Sequence, residues 1–405
     1  MAELDVSQLR TVQDAMALID AVEVHPRPVR LLLAECRGLY LAETLHADRD
    51  DPAFVKSLMD GYAVRAADAA AGAELLVVAC LPAGTMAQKP VERGQAMAIM
   101  TGAALPEGAD AVVPVEQTRQ GFVSQGQCVT MIAAARSGQN ISPRGSNIKK
   151  GDVALAAGCR MEACQMAVAA AIGSAMVNVY APVNAAVLTT GDELVGPGAD
   201  PGPAGIRNSN GPMMIALLNR LGCRVRDLGI CPDDPRKIRT AIEDGLRQDV
   251  LFISGGMSMG ERDFVPKILA ELGGELKVTK LRIKPGKPFM FAQMSGGKFA
   301  FGLPGNPVSA FVCATVLARR LLERMMGAAP AEHVYTTPLG EPLSANGPRD
   351  FYQPAQIRDG RVYPLAWKGS ADIYTLARAD CLIVRPADDP ARSPGDLTWV
   401  MHIGR

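Results

Sequence analysis

Residues 183 to about 325 alternate between short apolar runs and longer amphipathic stretches, and this alternation restricts the fold more than any other feature of the chain. The apolar runs predict strands over residues 183–189, 224–228, 250–253, 277–283, 289–292 and 299–301. The stretches between them predict helices over residues 211–221, 235–247, 264–272 and 307–325. Alternating strand and helix units form a mostly parallel sheet with helices on both faces. We therefore predict a three-layer α/β domain in this region.

Three of these helices begin with recognisable capping sequences. Asp234 precedes Pro235 and Asn306 precedes Pro307, so each pair places a capping side chain before a proline in the first helical turn. Asn210 precedes a Gly-Pro pair in a similar arrangement. These signals predict the starts of the helices.

Polar clusters follow nearly every predicted strand of this domain. They are "TGDEL" (190–194), "RNSN" (207–210), "CPDD" (231–234), "SGGMSMGERD" (254–263), "KPGKP" (284–288) and "LPGNP" (303–307). Any one of them could be an ordinary Gly/Pro turn. Because the carboxyl ends of parallel strands meet at one edge of a sheet, we expect the clusters to surround a single ligand-binding crevice.

The chemistry of this edge suits an anionic ligand. Backbone N–H groups and hydroxyls that could hold a phosphate come from Ser254, Gly255, Gly256 and Ser258. Positive charge comes from Lys284 and Lys287, and carboxylates come from Asp192, Glu193, Asp233, Asp234 and Asp263. Carboxylates beside a phosphate site repel the ligand unless a cation lies between them, so an ion such as Mg²⁺ is expected. Asp234 and Asp263 could instead cap the helices that follow them. None of these segments matches a P-loop or a dinucleotide-binding fingerprint.

The rest of the chain predicts helices at the N-terminus and small β domains elsewhere. Apolar spacing over residues 7–20 predicts a helix capped by Ser7, and residues 28–36 could form a second one. Short apolar runs separated by Gly and Pro predict a β domain from about 50 to 140 and another from 330 onward. On local grounds, Asp60-Gly61 and Thr101-Gly102 predict turns.

Composition excludes several classes of protein. The 42 basic residues balance the 42 acidic ones, so no overall charge attracts the chain to nucleic acid or to a membrane surface. Nine cysteines without a Cys-x-x-Cys pair and four scattered histidines disfavour a disulfide framework and a histidine-ligated metal. The longest apolar stretch, residues 166–177, is too short to span a membrane. These features predict a soluble, cytoplasmic protein of several domains.

The ordered set of motifs resembles the MoeA and gephyrin E-domain family of molybdopterin molybdenumtransferases. The matching segments are "MDGYAV", "IMTGAALPEGADAVV", "RSGQNI", "TGDEL", "RNSN", "SGGMSMGERD", "KPGKPFMF" and "GLPGNPVSA", followed by "PRDFYQPAQI" and "KGSADIYTLARAD". They follow the family order and extend over nearly the whole chain. The resemblance implies an α/β multidomain fold. Its domains would be an extended N-terminal domain (1–48 and 140–180), an inserted β domain (49–139), an α/β molybdopterin-binding domain (181–327) and a C-terminal β domain (328–405).

The resemblance also implies an activity. Family members cleave the adenylate from adenylylated molybdopterin and insert molybdate into its dithiolene, which yields molybdenum cofactor and AMP. The catalytic positions of the family fall on Asp60, Thr101, Glu193, Asp234, Asp263, Lys280 and Lys284. The metal positions fall on Glu193, Asp234 and Asp263, and Mg²⁺ is the expected ion. Substrate and molybdate positions fall on Lys287, Ser309, Arg349 and Ser370, with Pro304 and Pro307 shaping their loop, beside the phosphate cradle of Ser254, Gly255, Gly256 and Ser258.

The family forms a homodimer in which the β domain of one subunit faces the α/β domain of the other, so Asp60 and Thr101 could join the site. A molybdopterin adenylyltransferase would supply the substrate, and neither nucleic acid nor a membrane is expected as a partner. Two alternatives remain from the residues. The chain could itself be a molybdopterin adenylyltransferase, although such single-domain enzymes lack the inserted and C-terminal domains. It could also be a non-catalytic scaffold like the gephyrin E domain, although a scaffold need not keep lysines and carboxylates together.

Overall fold

The chain forms two compact units in a computed structural model that describes residues 9–256, 264–329 and 333–404. The larger unit comprises the described residues up to Ala42, Gly158–Ala163 and those from Met176 onward. The smaller unit comprises Glu43–Ala157 and Cys164–Ala175. Ser258 and Asp263 lie outside the described residues.

The larger unit contains a six-stranded central sheet. Its strands, in spatial order, are Arg224–Cys231, Asn184–Thr190, Val250–Ser254, Lys298–Leu303, Met290–Met294 and Glu275–Val278. The first four strands run parallel, and the last two join antiparallel, so the sheet is mixed. The predicted α/β sheet is confirmed, with an antiparallel edge that the strand–helix pattern does not reveal.

Helices cover both faces of the central sheet. They are Asn210–Arg220, Pro235–Gly245, Phe264–Glu271 and a longer helix built from Pro307–Cys313, the π-helical turn Ala314–Ala318 and Arg319–Met325. Alternate residues of the strand Val250–Ser254 belong to different cores: Phe252 lies in one apolar cluster, whereas Leu251 and Ile253 lie in another. Burial of both faces of one strand confirms the three-layer arrangement.

The run over residues 277–283 is not one strand, contrary to the prediction. Glu275–Val278 joins the central sheet, whereas Ile283–Lys284 pairs with the strand that begins at Asp350 in a second sheet. Between them, the N–H group of Leu281 donates to the carbonyl of Lys287. Apolar periodicity shows that a segment is buried but does not show where it changes its partner, which explains the error.

That second sheet belongs to the C-terminal part of the larger unit. Its order is Ile283–Lys284, Asp350–Arg358, Cys381–Arg385, Leu397–His402 and Val334–Pro338, with Arg361–Pro364 paired to Asp350–Arg358. A short helix, Ile373–Leu376, lies between two of these strands in sequence. The sheet confirms the β structure predicted from residue 330 onward. A pair of two-residue strands, Leu194–Val195 and Ile206–Arg207, also belongs to the larger unit.

The N-terminal helix is shorter than predicted. It spans Val12–Asp20 and has Thr11 as its N-cap, because the Thr11 hydroxyl accepts from the N–H of Asp14 while the Asp14 carboxylate accepts from the N–H of Thr11. Ser7, the predicted cap, lies outside the described residues. The second helix predicted within residues 28–36 is wrong. Pro28–Leu32 is a strand paired antiparallel with Met176–Tyr180, and only the single 3₁₀ turn Leu33–Glu35 follows it. In so short a run, residues that alternate along a strand can also fit a helical face.

The smaller unit is mainly β structure, as the sequence predicts. Its five-stranded sheet has the order Ala111–Pro114, Gly61–Val64, Gln95–Ile99, Glu74–Leu81 and Cys128–Thr130. Two short pairs, Leu45–His46 with Val153–Leu155 and Lys56–Ser57 with Ile141–Ser142, accompany it, and nearly all of the helix Ala163–Ala171 belongs to the same unit. Asp60-Gly61 does not form the predicted hairpin turn. Gly61 begins an interior strand, and a Cβ atom there would lie 2.1 Å from the Val113 carbonyl oxygen.

Across residues 9–256, 264–329 and 333–404, no helix has the length and apolar character that crossing a membrane requires.

Candidate functional site

A cleft of about 1440 Å³ opens in the larger unit at the carboxyl ends of the parallel strands. The carboxyl ends of three parallel strands reach it through Gly191, Ser254 and Pro304. Arg349 and Ser370 reach it from the C-terminal part of the chain. The cleft therefore lies where ligands bind in α/β sheets, as the polar clusters predict.

The turn after the strand Val250–Ser254 forms part of the cleft wall and requires glycine. Gly255 has a φ of +98°, and a Cβ atom on it would lie 2.1 Å from the Thr190 carbonyl oxygen. Gly256 has a φ of +62° and would place a Cβ atom 3.0 Å from the Thr190 hydroxyl. At Gly255, the positive φ and the close approach to Thr190 together exclude a side chain. The two glycines bring the backbone against a neighbouring strand end and line the cleft, and the Gly255 N–H group donates to the Leu303 carbonyl oxygen at 3.4 Å.

Asn210 joins the carboxyl ends of two parallel strands, Val250–Ser254 and Lys298–Leu303. Its Nδ2 atom donates to the Ser254 Oγ atom at 2.8 Å and to the Gly305 carbonyl oxygen at 2.7 Å. The Ser254 hydroxyl in turn donates to the Pro304 carbonyl oxygen at 3.3 Å. The sequence placed Asn210 in a polar cluster and read it as a cap. The signal for its other role was its place in the polar cluster "RNSN" before the helix, among clusters expected at the same sheet edge as Ser254.

The capping prediction holds in full at Asp234, holds in position but not in hydrogen bonding at Asn306, and fails at Asn210. Asp234 caps the helix Pro235–Gly245 through two backbone N–H groups. Asn208 rather than Asn210 accepts from the first turn of its helix, with 3.0 Å between its Oδ1 atom and the N–H nitrogen of Gly211. Asn306 makes no side-chain cap. Its Nδ2 atom donates instead to the Ser370 Oγ atom at 2.9 Å.

The contact between Asn306 and Ser370 connects the α/β part of the unit to the C-terminal loop. The N–H group of Val308 also donates to the Ser370 carbonyl oxygen at 3.0 Å. Ser370 is thereby fixed at the start of the helix that carries the buried Ser309. Predicted residues from both regions, Ser309 and Ser370, therefore line one cleft.

Positive charge exceeds negative charge among the described residues of the cleft. The basic side chains are Arg207, Lys280, Lys284, Lys287 and Arg349, and the acidic ones are Glu193 and Asp233. Since the whole chain is neutral, this excess is local. It favours an anionic ligand. The predicted residues Lys280, Lys284, Lys287, Arg349, Pro304 and Pro307 all line this cleft.

The predicted metal-binding carboxylates are not all in the cleft. Glu193 lines it. Asp234 is not among the lining residues, and its carboxylate accepts from the N–H groups of Lys237 and Arg236 at 2.9 Å each. The hydrogen bond from the Lys237 N–H group is the main cause that lowers the pKa of Asp234; desolvation opposes it, and the hydrogen bond from Arg236 adds to the lowering. Within the described ranges, which exclude Asp263, no three candidate metal ligands come together.

Asp60 and Thr101 meet within the smaller unit. The Asp60 Oδ1 atom accepts from the Thr101 backbone nitrogen at 2.6 Å and from the Thr101 hydroxyl at 2.8 Å. These two hydrogen bonds lower the pKa of the exposed Asp60 carboxyl. The structure thus pairs two residues that are 41 positions apart, and their part in catalysis stays a prediction.

Comparison with known proteins identifies the family. A molybdopterin molybdenumtransferase of Haemophilus influenzae is 37% identical over 378 residues, which cover 91% of this chain and 92% of that protein. The chain belongs to the molybdopterin molybdenumtransferase family. Molybdopterin molybdenumtransferase 1 of Mycobacterium tuberculosis is 30% identical, over 98% of this chain and all of its own length.

Family models divide the chain into three parts. The MoeA N-terminal region (domain I and II) matches residues 10–173, the probable molybdopterin binding domain matches residues 186–324, and the MoeA C-terminal region (domain IV) matches residues 336–401. The crystal structure of the molybdopterin biosynthesis MoeA protein from Pyrococcus horikoshii is similar, with a TM-score of 0.80 and 26% identity over 98% of this chain and all of that one. The cleft lies largely within the segment matched by the second model.

Proposed function

We propose that this chain is a transferase of molybdenum cofactor biosynthesis that inserts molybdate into adenylylated molybdopterin and releases AMP. The observation that carries the proposal is the basic cleft at the carboxyl ends of the parallel strands. It occurs in a chain that is similar over nearly its whole length to proteins named molybdopterin molybdenumtransferase. Both substrates are anions, which the local excess of positive charge would attract.

The residues of the cleft form two groups, one for the pterin phosphate and one for molybdate. The turn of Ser254, Gly255 and Gly256 would hold the pterin phosphate. The Gly256 N–H group would be its main donor, because the Ser254 hydroxyl and the Gly255 N–H group already donate to backbone carbonyl oxygens. Cleavage of the bond to the adenylate increases negative charge on the departing phosphate, and fixed cations such as Lys280 and Lys284 would stabilise that charge. The side chains proposed to hold molybdate, a tetrahedral dianion, are Lys284, Lys287, Ser309, Arg349 and Ser370.

Mg²⁺ is part of this proposal, although the described residues do not form a complete protein site for it. Proteins commonly hold Mg²⁺ through one or two carboxylates together with substrate phosphates and water. Glu193 and Asp233, which line the cleft, are carboxylates of this kind. A bound ion would supply Lewis-acid stabilisation of the phosphate oxygens. The position of Asp234 as a helix cap makes it the weakest of the predicted ligands.

The proposal includes a setting and partners. The enzyme would act in the cytoplasm on a substrate supplied by a molybdopterin adenylyltransferase, and it would work as a homodimer. In that dimer, Asp60 and Thr101 of one subunit would serve the cleft of the other. The two alternative functions are less well supported, because the relatives that match nearly the whole chain are named molybdenumtransferases.

The test is molybdate-dependent release of AMP from adenylylated molybdopterin by the purified chain. We expect AMP to appear with molybdate and Mg²⁺, and release to be much slower when sulfate replaces molybdate or when EDTA removes the cation. Incubation with molybdopterin and Mg·ATP is the matched control. Rapid transfer of AMP to the pterin in that control would identify an adenylyltransferase, and no reaction in either assay would favour a scaffold.

A further inference from the structure

Lys284 is held in the cleft by an aromatic ring. Its Nζ atom lies 4.3 Å from the centroid of the Phe351 ring. Among the side chains that the structure describes, no carboxylate forms an ion pair with this ammonium group. The contact of Lys284 with Phe351 therefore orients an ammonium group that has no ion-pair partner among these described side chains.

Phe351 is fixed by its own surroundings. It is 7% exposed and lies in the strand Asp350–Arg358, where it pairs directly with Lys284 in parallel register. Its ring stacks on the Trp367 ring at a centroid distance of 5.9 Å and an interplanar angle of 28°. Trp367 and Lys284 both line the cleft. The ring that contacts the ammonium group thus has little freedom to move.

We propose that Phe351 is a positioning residue that holds the Lys284 ammonium group by a cation–π contact and leaves its N–H donors available to substrate oxyanions. This inference rests on the proposed function, because it assumes that the cleft binds anions such as molybdate. Nothing in the sequence motifs assigned a role to Phe351 or Trp367.

An aromatic face differs from a carboxylate as a partner for this lysine. A carboxylate would orient the ammonium group but cancel its charge and occupy its donors. The ring attracts the ammonium group through the negative potential over its face and accepts no conventional hydrogen bond. The cleft keeps its net positive charge, and the lysine has fewer conformations to lose when an anion binds.

The experiment replaces Phe351 in the full-length protein with 4-fluoro-, 3,5-difluoro- and 3,4,5-trifluorophenylalanine. Fluorine withdraws charge from the face of the ring and changes its volume little. Calorimetry measures the Kd for molybdate and, separately, the Kd for AMP. We expect at least one of the two constants to rise stepwise with the number of fluorine atoms. Across the whole series, a rise in Kd of about two- to fivefold corresponds to the loss of a partly exposed cation–π contact.

Two controls make the result specific. The same series at Phe299, a buried ring in the central sheet, should leave both constants unchanged. In a Lys284→Met background, fluorination of Phe351 should have no further effect, because the ammonium group is gone. A flat series at Phe351, or a graded series that persists without Lys284, would overturn the proposal.

The failure of the inference and that of the proposed function are distinguishable. If the wild-type chain binds molybdate or AMP but releases no AMP from adenylylated molybdopterin, the proposed function is wrong, and the fluorine series still decides on Phe351. If the wild-type chain binds neither anion, both are wrong. If it releases AMP normally and the series is flat, only the role of Phe351 is wrong.

Discussion

At the scale of single residues, Gly255 determines the shape of the cleft wall. Gly255→Ala would combine a left-handed backbone with a Cβ atom 2.1 Å from the Thr190 carbonyl oxygen. Gly273→Ala is the matched control, because Gly273 has a φ of +83° but open space around its Cβ position. We expect the control to lose roughly 1–2 kcal/mol from the backbone conformation alone. Gly255→Ala should lose clearly more, as measured by the shift of the urea midpoint. Equal losses would show that the close approach to Thr190 is unimportant.

Asp234 is a residue for which two roles can be separated. Asp234→Asn keeps an oxygen acceptor for the helix cap, whereas Asp234→Ala removes it, so the loss of thermal stability at neutral pH should be clearly larger for alanine than for asparagine. The lowered pKa of Asp234 means that its charged form stabilises the fold above its ordinary value of 3.8, and this advantage disappears as the pH falls through the lower folded value. The stability difference between wild type and Asp234→Asn should therefore shrink in acid. Normal AMP release by folded Asp234→Ala, which has no oxygen ligand, would exclude a metal-binding role.

The residue scale is also where the sequence is least informative. The glycines at 255 and 256 could mark a simple turn or a ligand loop, and only the 2.1 Å approach to Thr190 shows how tightly the turn is packed. The contact between Lys284 and Phe351 depends on the pairing of two strands that are far apart in sequence. Local patterns carry no information about such pairings, so this part of the site could not be predicted.

At the scale of elements, Asn210 holds together the loops that follow two parallel strands. Asn210→Ala would leave the buried Ser254 hydroxyl and the Gly305 carbonyl without this donor. We expect a loss of about 1–3 kcal/mol in the free energy of unfolding, together with weaker AMP binding. Asn219→Ala is the control, since Asn219 is exposed on the same helix. Unchanged stability in Asn210→Ala would show that the loops are held by other contacts.

Elements were predictable where the pattern is long and regular. The helix Pro235–Gly245 begins at the predicted proline, and the strand Val250–Ser254 differs from its prediction by one residue. Prediction failed at residues 277–283, where the chain leaves one sheet for another, and at residues 28–36, where a short run fits two periodicities. The sheet edge that carries the site was predictable because it follows from strand polarity alone.

At the scale of the whole molecule, the chain has no net charge, but positive charge is concentrated in the cleft. A chain with 42 residues of each sign has a cleft whose described side chains include five bases and two acids. The cleft belongs to the larger compact unit, whereas Asp60 and Thr101 belong to the smaller one. The proposed dimer gives a reason for the pairing of Asp60 with Thr101, because each pair would serve the cleft of the other subunit.

This arrangement predicts complementation between two inactive variants. Asp60→Ala should remove the part that the smaller unit plays in AMP release, and Lys284→Ala should remove the part that the cleft plays. If each site combines the smaller unit of one subunit with the cleft of the other, a mixed dimer contains one site with both changes and one intact site. Random mixing of equal amounts makes about half of the dimers mixed, so co-expressed variants should recover about a quarter of wild-type AMP release.

The same experiment has a clear opposite outcome. If each site lies within one subunit, every site in the mixture carries one of the two changes, and activity should stay at the level of the single variants. Size-exclusion chromatography of each variant must show the wild-type oligomeric state, and co-purification through two different tags isolates the mixed dimers. Isolated mixed dimers should then show about half of wild-type activity, because one of their two sites is intact. A monomer in solution would contradict the proposed dimer directly.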